Sequence, residues 1–185
     1  MPSPVDICNR ALSRLGDSRI TSLGDNTKAA RAANASWEMV RDEVYREHPW
    51  NSITRRIALQ AETAAPLWGF SNEFLLTDDI LRVLDVEDIA VWVVEGRSIL
   101  VDDAGPINIQ YCYQQTDTNL LEPLLISALA ARMKVELAEE LTSSNTKVKT
   151  AWEEYDLILK RAKRVNAQEG VPTPADEDLW ITARI

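Results

Sequence analysis

The feature that most constrains the fold is a change in apolar spacing along the chain, from a helical period to strict alternation and back. After Pro123 large apolar residues recur at every fourth position, namely Leu125, Leu129, Met133, Leu137 and Leu141. This spacing places them on one face of an α-helix. Residues 107–113, INIQYCY, instead alternate apolar and polar side chains as a half-buried strand requires. The chain must therefore combine helices with a sheet.

Four helices are predicted, two on each side of the alternating segment. The first is marked by Ser3 as a cap, Pro4 at its first position and Gly16 at its end. The second ends before Pro49, because the residue preceding a proline avoids helical geometry. Apolar stripes on the second and fourth helices are expected to face the core: Ala33, Trp37, Val40 and Val44, then Val148, Trp152, Tyr155, Leu159 and Ala162. The predicted helices span residues 3–16, 26–48, 122–142 and 145–169.

The middle of the chain, about 50–114, is predicted to form a small inserted antiparallel sheet of about three or four strands. VWVVEGRSILV is typical of a hairpin with Glu95-Gly96 at its tip, since glycine tolerates positive φ. Trp68, Phe70 and Phe74 are expected to cover one edge of the core. The fold class is therefore α+β, with an inserted sheet in a bundle of about four helices. Residues 1–170 are predicted to form this domain, and 171–185 are predicted to form an extended C-terminal arm.

Composition excludes several classes of function. The chain has 185 residues, enough for one domain, and a net charge of -9, which disfavours a protein that grips nucleic acid through phosphate contacts. No apolar run approaches the roughly 18 residues of a membrane span, and the N-terminus lacks a secretory signal pattern. Cys8 and Cys112 lie far apart without metal-type spacing and are interpreted as reduced, buried thiols.

The sequence indicates no catalytic, metal or cofactor site. His48, the one histidine, precedes a proline at a helix end, away from any nucleophile motif, which favours a structural role. Adjacent acids occur at 78–79, 87–88, 102–103 and 176–178, but none matches an ion-binding loop. Solvated turns explain the first three pairs better. Isolated glycines give no phosphate-cradling loop. A structural or interaction protein is therefore favoured over an enzyme.

The C-terminal arm is the first candidate interface. Its acidic run Asp176-Glu177-Asp178 precedes Leu179, Trp180 and Ile181, and Arg184 follows. Tryptophan and its apolar neighbours suit an interface anchor, while the acids suit orientation against a basic partner. The alternative is that the arm folds back on its own body. The hairpin residues Glu95, Gly96 and Arg97 form the second candidate interface, with a plain surface turn as the alternative.

Taken in order, five segments resemble head-to-tail adaptor proteins of tailed bacteriophages, closest to the tail tubular protein A type of short-tailed phages. The resemblance covers nearly the whole chain and depends on order and spacing, since the segments are architectural. The segments are ICNRALSRLGDSRITSLGDNTKAARAA, VRDEVYREHPWNSITRRIALQ, VWVVEGRSILVD, PLLISALAARMKVELAEELTSS and RAKRVNAQEG.

The resemblance implies a virion protein of the neck, between capsid and tail, made in the host bacterial cytoplasm. It implies a homo-oligomeric ring of about twelve subunits under the portal protein, with neighbouring adaptor subunits, the portal and a tail nozzle or other downstream tail protein as partners. Genomic DNA would pass through the lumen of this ring without specific binding. The acidity of the chain agrees, since a negative channel repels DNA phosphates.

Two alternatives remain open at the level of the sequence. A metal-dependent nuclease or hydrolase would use Asp102 and Asp103, and its turnover would require Mg²⁺ or Mn²⁺. A small phage assembly or regulatory protein would stay monomeric and leave the finished particle. Ring formation with portal protein distinguishes the adaptor from both.

Overall fold

Four α-helices and six short strands form the framework of the described part of the chain, and the α+β class predicted from the sequence is confirmed. The computed structural model describes residues 2–169. The candidate arm residues Asp176 to Ile181 and Arg184 lie outside the described residues. The helices are α1 (Pro4–Leu15), α2 (Lys28–Arg46), α3 (Pro123–Thr142) and α4 (Asn145–Ala167). Their ends differ from the predicted ends by at most two residues, which is the usual scatter at frayed termini.

Local side-chain chemistry sets the helix ends. The Ser3 side chain accepts from the Asp6 amide, and the Asp6 carboxylate accepts in return from the Ser3 amide, which is a capping box. Gly16 closes α1 in the left-handed conformation at φ 81°. Ser143 ends α3 in the same conformation, and Ser144 caps α4, so the TSSN segment both stops one helix and starts the next.

Helix α3 is the centre of the helical part and contacts α1, α2 and α4. The predicted face is buried, with Leu125, Leu129, Met133 and Leu137 at most 1% exposed. Four of the seven other buried positions are alanines, and Ala128, Ala131 and Ala138 are fully buried. Small side chains let neighbouring helices approach closely, so one helix can be packed on three sides. The fourfold spacing identified one of these sides only.

The six strands form two three-stranded antiparallel sheets instead of one. The first sheet has the order β1-β6-β3 and the second the order β2-β5-β4. The strands are β1 (Thr54–Leu59), β2 (Asn72–Leu75), β3 (Ile80–Val86), β4 (Val93–Glu95), β5 (Ser98–Val101) and β6 (Ile107–Tyr113). Sequence spacing finds strands but not their partners, because pairing is settled by contacts between distant segments.

Strand β6 confirms the alternation seen in INIQYCY. Ile107, Ile109, Tyr111 and Tyr113 are buried, whereas Asn108 is exposed. Ile109 lies opposite Ile57 of β1 and Val86 of β3, so three apolar side chains meet across one face of the first sheet. Cys112 on the opposite face is also buried, because its thiol lies against the end of α2 near the His48 carbonyl oxygen.

The hairpin of the second sheet is confirmed, but its tip is one residue later than predicted. Glu95 pairs with Ser98, so the two loop residues are Gly96 and Arg97, not Glu95 and Gly96. Gly96 adopts φ 58° at the first loop position, as a tight hairpin turn requires. Glycine at position 96 is compatible with a turn at Glu95-Gly96 or at Gly96-Arg97. The pairing of Glu95 with Ser98 determines which of the two forms.

Replacing Gly105 by alanine is expected to lower the free energy of unfolding by about 2 kcal/mol or more. Gly105 has φ +75°, and a Cβ there would lie 2.7 Å from a Phe74 ring carbon, so strain and overlap add. Gly96→Ala is the matched control, since its φ is also positive but no atom lies within 4 Å of the added Cβ. Urea denaturation should show a clearly smaller loss of unfolding free energy for Gly96→Ala than for Gly105→Ala. Equal losses for the two variants would contradict the contact with Phe74.

Two aromatic predictions are wrong. Trp68 does not cover the core, since it is 86% exposed in the loop before β2, although Phe74 is fully buried as expected. Trp152 of the α4 stripe is 44% exposed and lies beneath the Arg132 guanidinium, 5.2 Å from its ring centroid. Its neighbours Tyr155 and Leu159 are buried, and Val148 earlier in the stripe packs partly buried against the core, so Trp152 alone of this stripe is exposed. Among the described helices, none has the length and apolar content needed to cross a membrane.

Candidate interaction surface

His48 has a structural position at the junction between α2, α4 and the sheets. Its ring packs edge-on against Trp50, with centroids 4.8 Å apart, and its Nε2 lies 2.9 Å from the Asn166 amide group. Burial lowers the pKa of His48 below its usual range. The neutral ring accepts a hydrogen bond when the Asn166 amide nitrogen faces it, and in that orientation Asn166 also bonds Pro49 and Asn51.

Glu122 lies on the other side of the same amide group. Its Oε2 is 3.4 Å from the Asn166 amide, and its buried Oε1 has no hydrogen-bond partner among the described residues. Burial raises the pKa of Glu122 above its usual range. The folded chain therefore holds this proton at pH values where the unfolded chain has lost it. The resulting stabilisation is fully present below pH 4.5 and is lost as pH rises through the raised pKa.

Glu122→Gln is therefore expected to raise the free energy of unfolding at neutral pH and to change it little below pH 4.5. The amide removes the buried charge and can donate to the Asn166 group. Denaturant unfolding at both pH values checks the result. Glu87→Gln serves as a control, because Glu87 is an exposed carboxylate that accepts from Asn108. A stabilisation of Glu122→Gln that persisted unchanged at low pH would contradict the assignment.

The acidic pairs considered for metal binding serve local structure. Asp102 accepts from the Ser71 amide and hydroxyl, and Asp103 accepts from the Gly105 amide. Asp79 accepts from Thr77, and Asp78 pairs with Arg97 at 3.0 Å. Within residues 2–169, no group of three or more His, Cys, Asp or Glu side chains is placed to hold a metal ion.

Both cysteines are buried thiols, as predicted. Cys8 lies in the core of the helical part and Cys112 in the first sheet, and neither forms a disulfide. Burial raises the pKa of Cys8 to about 12 and also raises that of Cys112. Thiols held in the protonated form are poor nucleophiles and poor metal ligands. Their role is packing.

Exposed apolar side chains concentrate on the second sheet and its loops. Six of the ten large apolar residues found exposed in the described chain belong to this region: Leu67, Trp68, Leu75, Val91, Val93 and Val94. Single exposed apolar residues are normal on a soluble surface, but a concentration in one small region marks an interaction site.

Four of these residues lie on one face of the second sheet, two placed there by strand register and two by the loop before β2. Leu75 and Val93 flank Leu100 on this face, because Glu73, Leu100 and Val93 lie in one row and Leu75 lies in the next. Leu67 and Trp68 reach over the same face and line a cavity of about 410 Å³ with Leu100. We call Leu67, Trp68, Leu75 and Val93 the outer-face patch.

The outer-face patch is separate from the main core. Phe74, Ile99 and Val101 on the opposite face of the sheet belong to the contiguous core of the domain. Leu100 is buried but does not belong to that core, so the loop bearing Trp68 covers it locally. Trp68 itself presents most of its ring to solvent. An exposed tryptophan over a half-covered cavity, which apolar side chains line together with Glu73 and Glu95, has the composition of an interface anchor.

The hairpin candidates lie beside this patch. Glu95 and Gly96 are exposed, and Glu95 also lines the cavity under Trp68. Arg97 is fixed by bonds to the Leu76 and Thr77 carbonyl oxygens. The sequence therefore identified the hairpin as exposed but missed the apolar residues around it. The paired valines of VWVV were the available signal, since a half-buried strand should have placed a polar residue among them.

Comparison with known proteins does not assign the chain to a family. No protein-family model matches the chain, and no curated protein matches it at a significant level.

Proposed function

We propose that the chain is a structural head-to-tail adaptor of a bacteriophage virion, which forms a ring under the portal protein, extends the DNA channel and docks the next tail component. The observation that supports this proposal best is the outer-face patch, which presents Trp68 and three aliphatic side chains on a small sheet. Burial of such a patch requires another protein surface. The sequence resemblance to phage adaptors supplies the identity of the partners.

The helical part suits a ring subunit. Its core is continuous, and α3 is buried between three other helices, so the body is expected to behave as a rigid block. A ring closes when one surface of each subunit binds a different surface of the next. If the helical part supplies both surfaces, the sheets are free to bind other partners. The net charge of -9 favours a lumen through which DNA slides without being held.

In this proposal the outer-face patch and the hairpin contact the downstream tail protein. The hairpin extends from the patch, with Glu95 and Arg97 as charged residues at its rim. Charged residues around an apolar centre are the usual anatomy of a protein interface. The C-terminal arm, through Trp180 and its neighbours Leu179 and Ile181, contacts the portal during assembly.

Co-purification with the portal protein of the same genome tests the proposal. The chain and the portal are mixed or co-expressed, and negative-stain images are compared with those of each protein alone. The expected result is a ring of about twelve copies of the chain bound to the portal. Images of this complex should show a larger particle than images of the portal alone. A ring that forms only with portal agrees with the proposal. Failure of the chain to bind portal under any of these conditions would overturn it.

A further inference from the structure

A second, basic cavity of about 330 Å³ lies between the hairpin and β3. Three arginines line it, Arg46 at the end of α2, Arg82 of β3 and Arg97 of the hairpin loop. Its apolar wall comes from both sheets: Leu76, Ile80, Leu81, Val83 and Val94. We call this cavity the arginine cleft.

The charges of the arginine cleft are poorly neutralised by the described residues. Arg46 donates to the Leu81 carbonyl oxygen and Arg82 to the Arg46 carbonyl oxygen, so neither guanidinium bonds a carboxylate among residues 2–169. Arg97 pairs with Asp78, but that carboxylate is fully exposed and such pairs contribute little. Three guanidiniums at one cleft are unusual in a chain of net charge -9 and favour an acidic occupant.

The strand beside the cleft also has a free edge. Strand β4 is the last strand of its sheet, and β5 is its single strand neighbour in the described chain. Val93 and Val94 point to opposite faces, yet they are 38% and 42% exposed. An exposed edge strand with valines on both faces is the kind of edge that proteins cover with another segment.

We propose that residues 176–185 of the same chain occupy this place, with Leu179–Ile185 added as a strand at the edge of β4 and the acidic run beside the arginine cleft. The sequence of this segment fits both features. Leu179, Ile181, Ala183 and Ile185 alternate with Trp180, Thr182 and Arg184. An added strand of this composition extends the apolar surface of β4 on both faces.

The position of the acidic residues within the segment also matches the position of the arginines beside β4. Asp176, Glu177 and Asp178 immediately precede the alternating residues, just as the arginines lie immediately beside the β4 edge. Carboxylates and guanidiniums form the strongest charge-assisted hydrogen bonds available to side chains. The segment therefore carries, in one short stretch, the charge that the cleft requires and the apolar residues that the edge requires.

The chain is long enough to reach this place without a partner. Near the end of α4, the Asn166 amide group lies 2.9 Å from Nε2 of His48. His48 is two positions after Arg46 in the sequence, and Arg46 lines the cleft, so the end of α4 lies close to the cleft. The six residues from Gly170 to Ala175 span up to about 20 Å. Attachment to the same molecule also gives a high effective concentration, which favours docking within one chain over docking between chains.

Hydrogen exchange in the full-length protein tests the inference. Edge amides of β4 that pair with an added strand exchange slowly, and unpaired edge amides exchange fast. Ile181→Asp places a charge in the apolar row, so the fragment covering 91–96 is expected to exchange about tenfold faster than in the unaltered chain. The fragment covering β6 (Ile107–Tyr113) should be unchanged, because the body is not altered.

Matched substitutions separate this inference from a general effect of charge. Val171→Asp adds the same charge to the preceding linker and is expected to leave β4 protected. Asp176→Asn with Asp178→Asn is expected to speed β4 exchange partway, because the arginine cleft loses its carboxylates. Rapid exchange of β4 in the unaltered chain, or equal effects of Ile181→Asp and Val171→Asp, would overturn the inference. So would protection that depends on protein concentration, because the occupant would then be a second copy.

The inference does not depend on the proposed function. It concerns the free chain, and its measurement requires neither portal nor tail protein. Fast exchange of β4 in the unaltered chain would overturn the inference without bearing on portal binding, and failure of the unaltered chain to bind portal would leave the protection of β4 untouched.

Discussion

Trp50→Ala is expected to lower the free energy of unfolding by about 4 kcal/mol, which is a large share of the stability of a domain of this size. Trp50 is fully buried, and its Nε1 donates to the Val44 carbonyl oxygen at 2.9 Å. Removing the side chain leaves a large cavity and an unpaired carbonyl oxygen at the end of α2. Urea denaturation followed by circular dichroism measures the change.

Two control variants separate the contributions at this position. Trp50→Phe keeps an aromatic ring and loses the N–H donor, so its cost should be about half or less of the alanine cost. Trp152→Ala removes a tryptophan that is 44% exposed and should cost about 1–2 kcal/mol. A Trp50→Ala protein that was no less stable than Trp152→Ala would contradict the structural assignment of the core.

Trp68→Ala is expected to weaken recruitment of the downstream tail protein by about thirtyfold or more, which corresponds to about 2 kcal/mol or more for an interface anchor. The same variant should unfold within about 0.5 kcal/mol of the unaltered chain, because Trp68 is 86% exposed. Binding to portal–adaptor assemblies, measured by co-sedimentation, and denaturant unfolding give the two numbers.

Leu120→Ala provides the matched control for this experiment. Leu120 is also a large exposed apolar residue, 59% exposed, but it lies in the short turn before α3 and not on the second sheet. Recruitment by Leu120→Ala should equal that of the unaltered chain. Equal losses for the two variants would show that general surface hydrophobicity, and not the outer-face patch, mediates the contact.

The helices and the strand nature of the middle segment were predictable because their signals are local. Ser3, Pro4 and Gly16 act within one turn of α1, and the structure confirms the role of each. The fourfold spacing in α3 and the alternation in β6 each reflect burial of one face. Such patterns depend on the geometry of a single element, so they can be recognised without knowing the neighbours.

The interaction surface was only partly predictable because exposure depends on neighbours. Trp50 and Trp68 are the same residue type in turn-rich segments, yet one is fully buried and the other 86% exposed. Trp50 lies shortly after the end of α2 at Arg46 and is enclosed by the junction of the helices and sheets. Trp68 lies in a loop over a face of the second sheet that no other described element covers. Only the arrangement of elements distinguishes these two positions.

By itself, the sequence determined the α+β class, the places where helices begin and end, the hairpin and the burial of both cysteines, since propensity, capping and periodicity act over a few residues. Tertiary structure alone decided that six strands divide into two sheets and that the outer-face patch stays exposed. It also decided that three arginines from distant segments meet at one cleft. These features arise from contacts between residues far apart in the chain, and such contacts leave no periodic signal in the sequence.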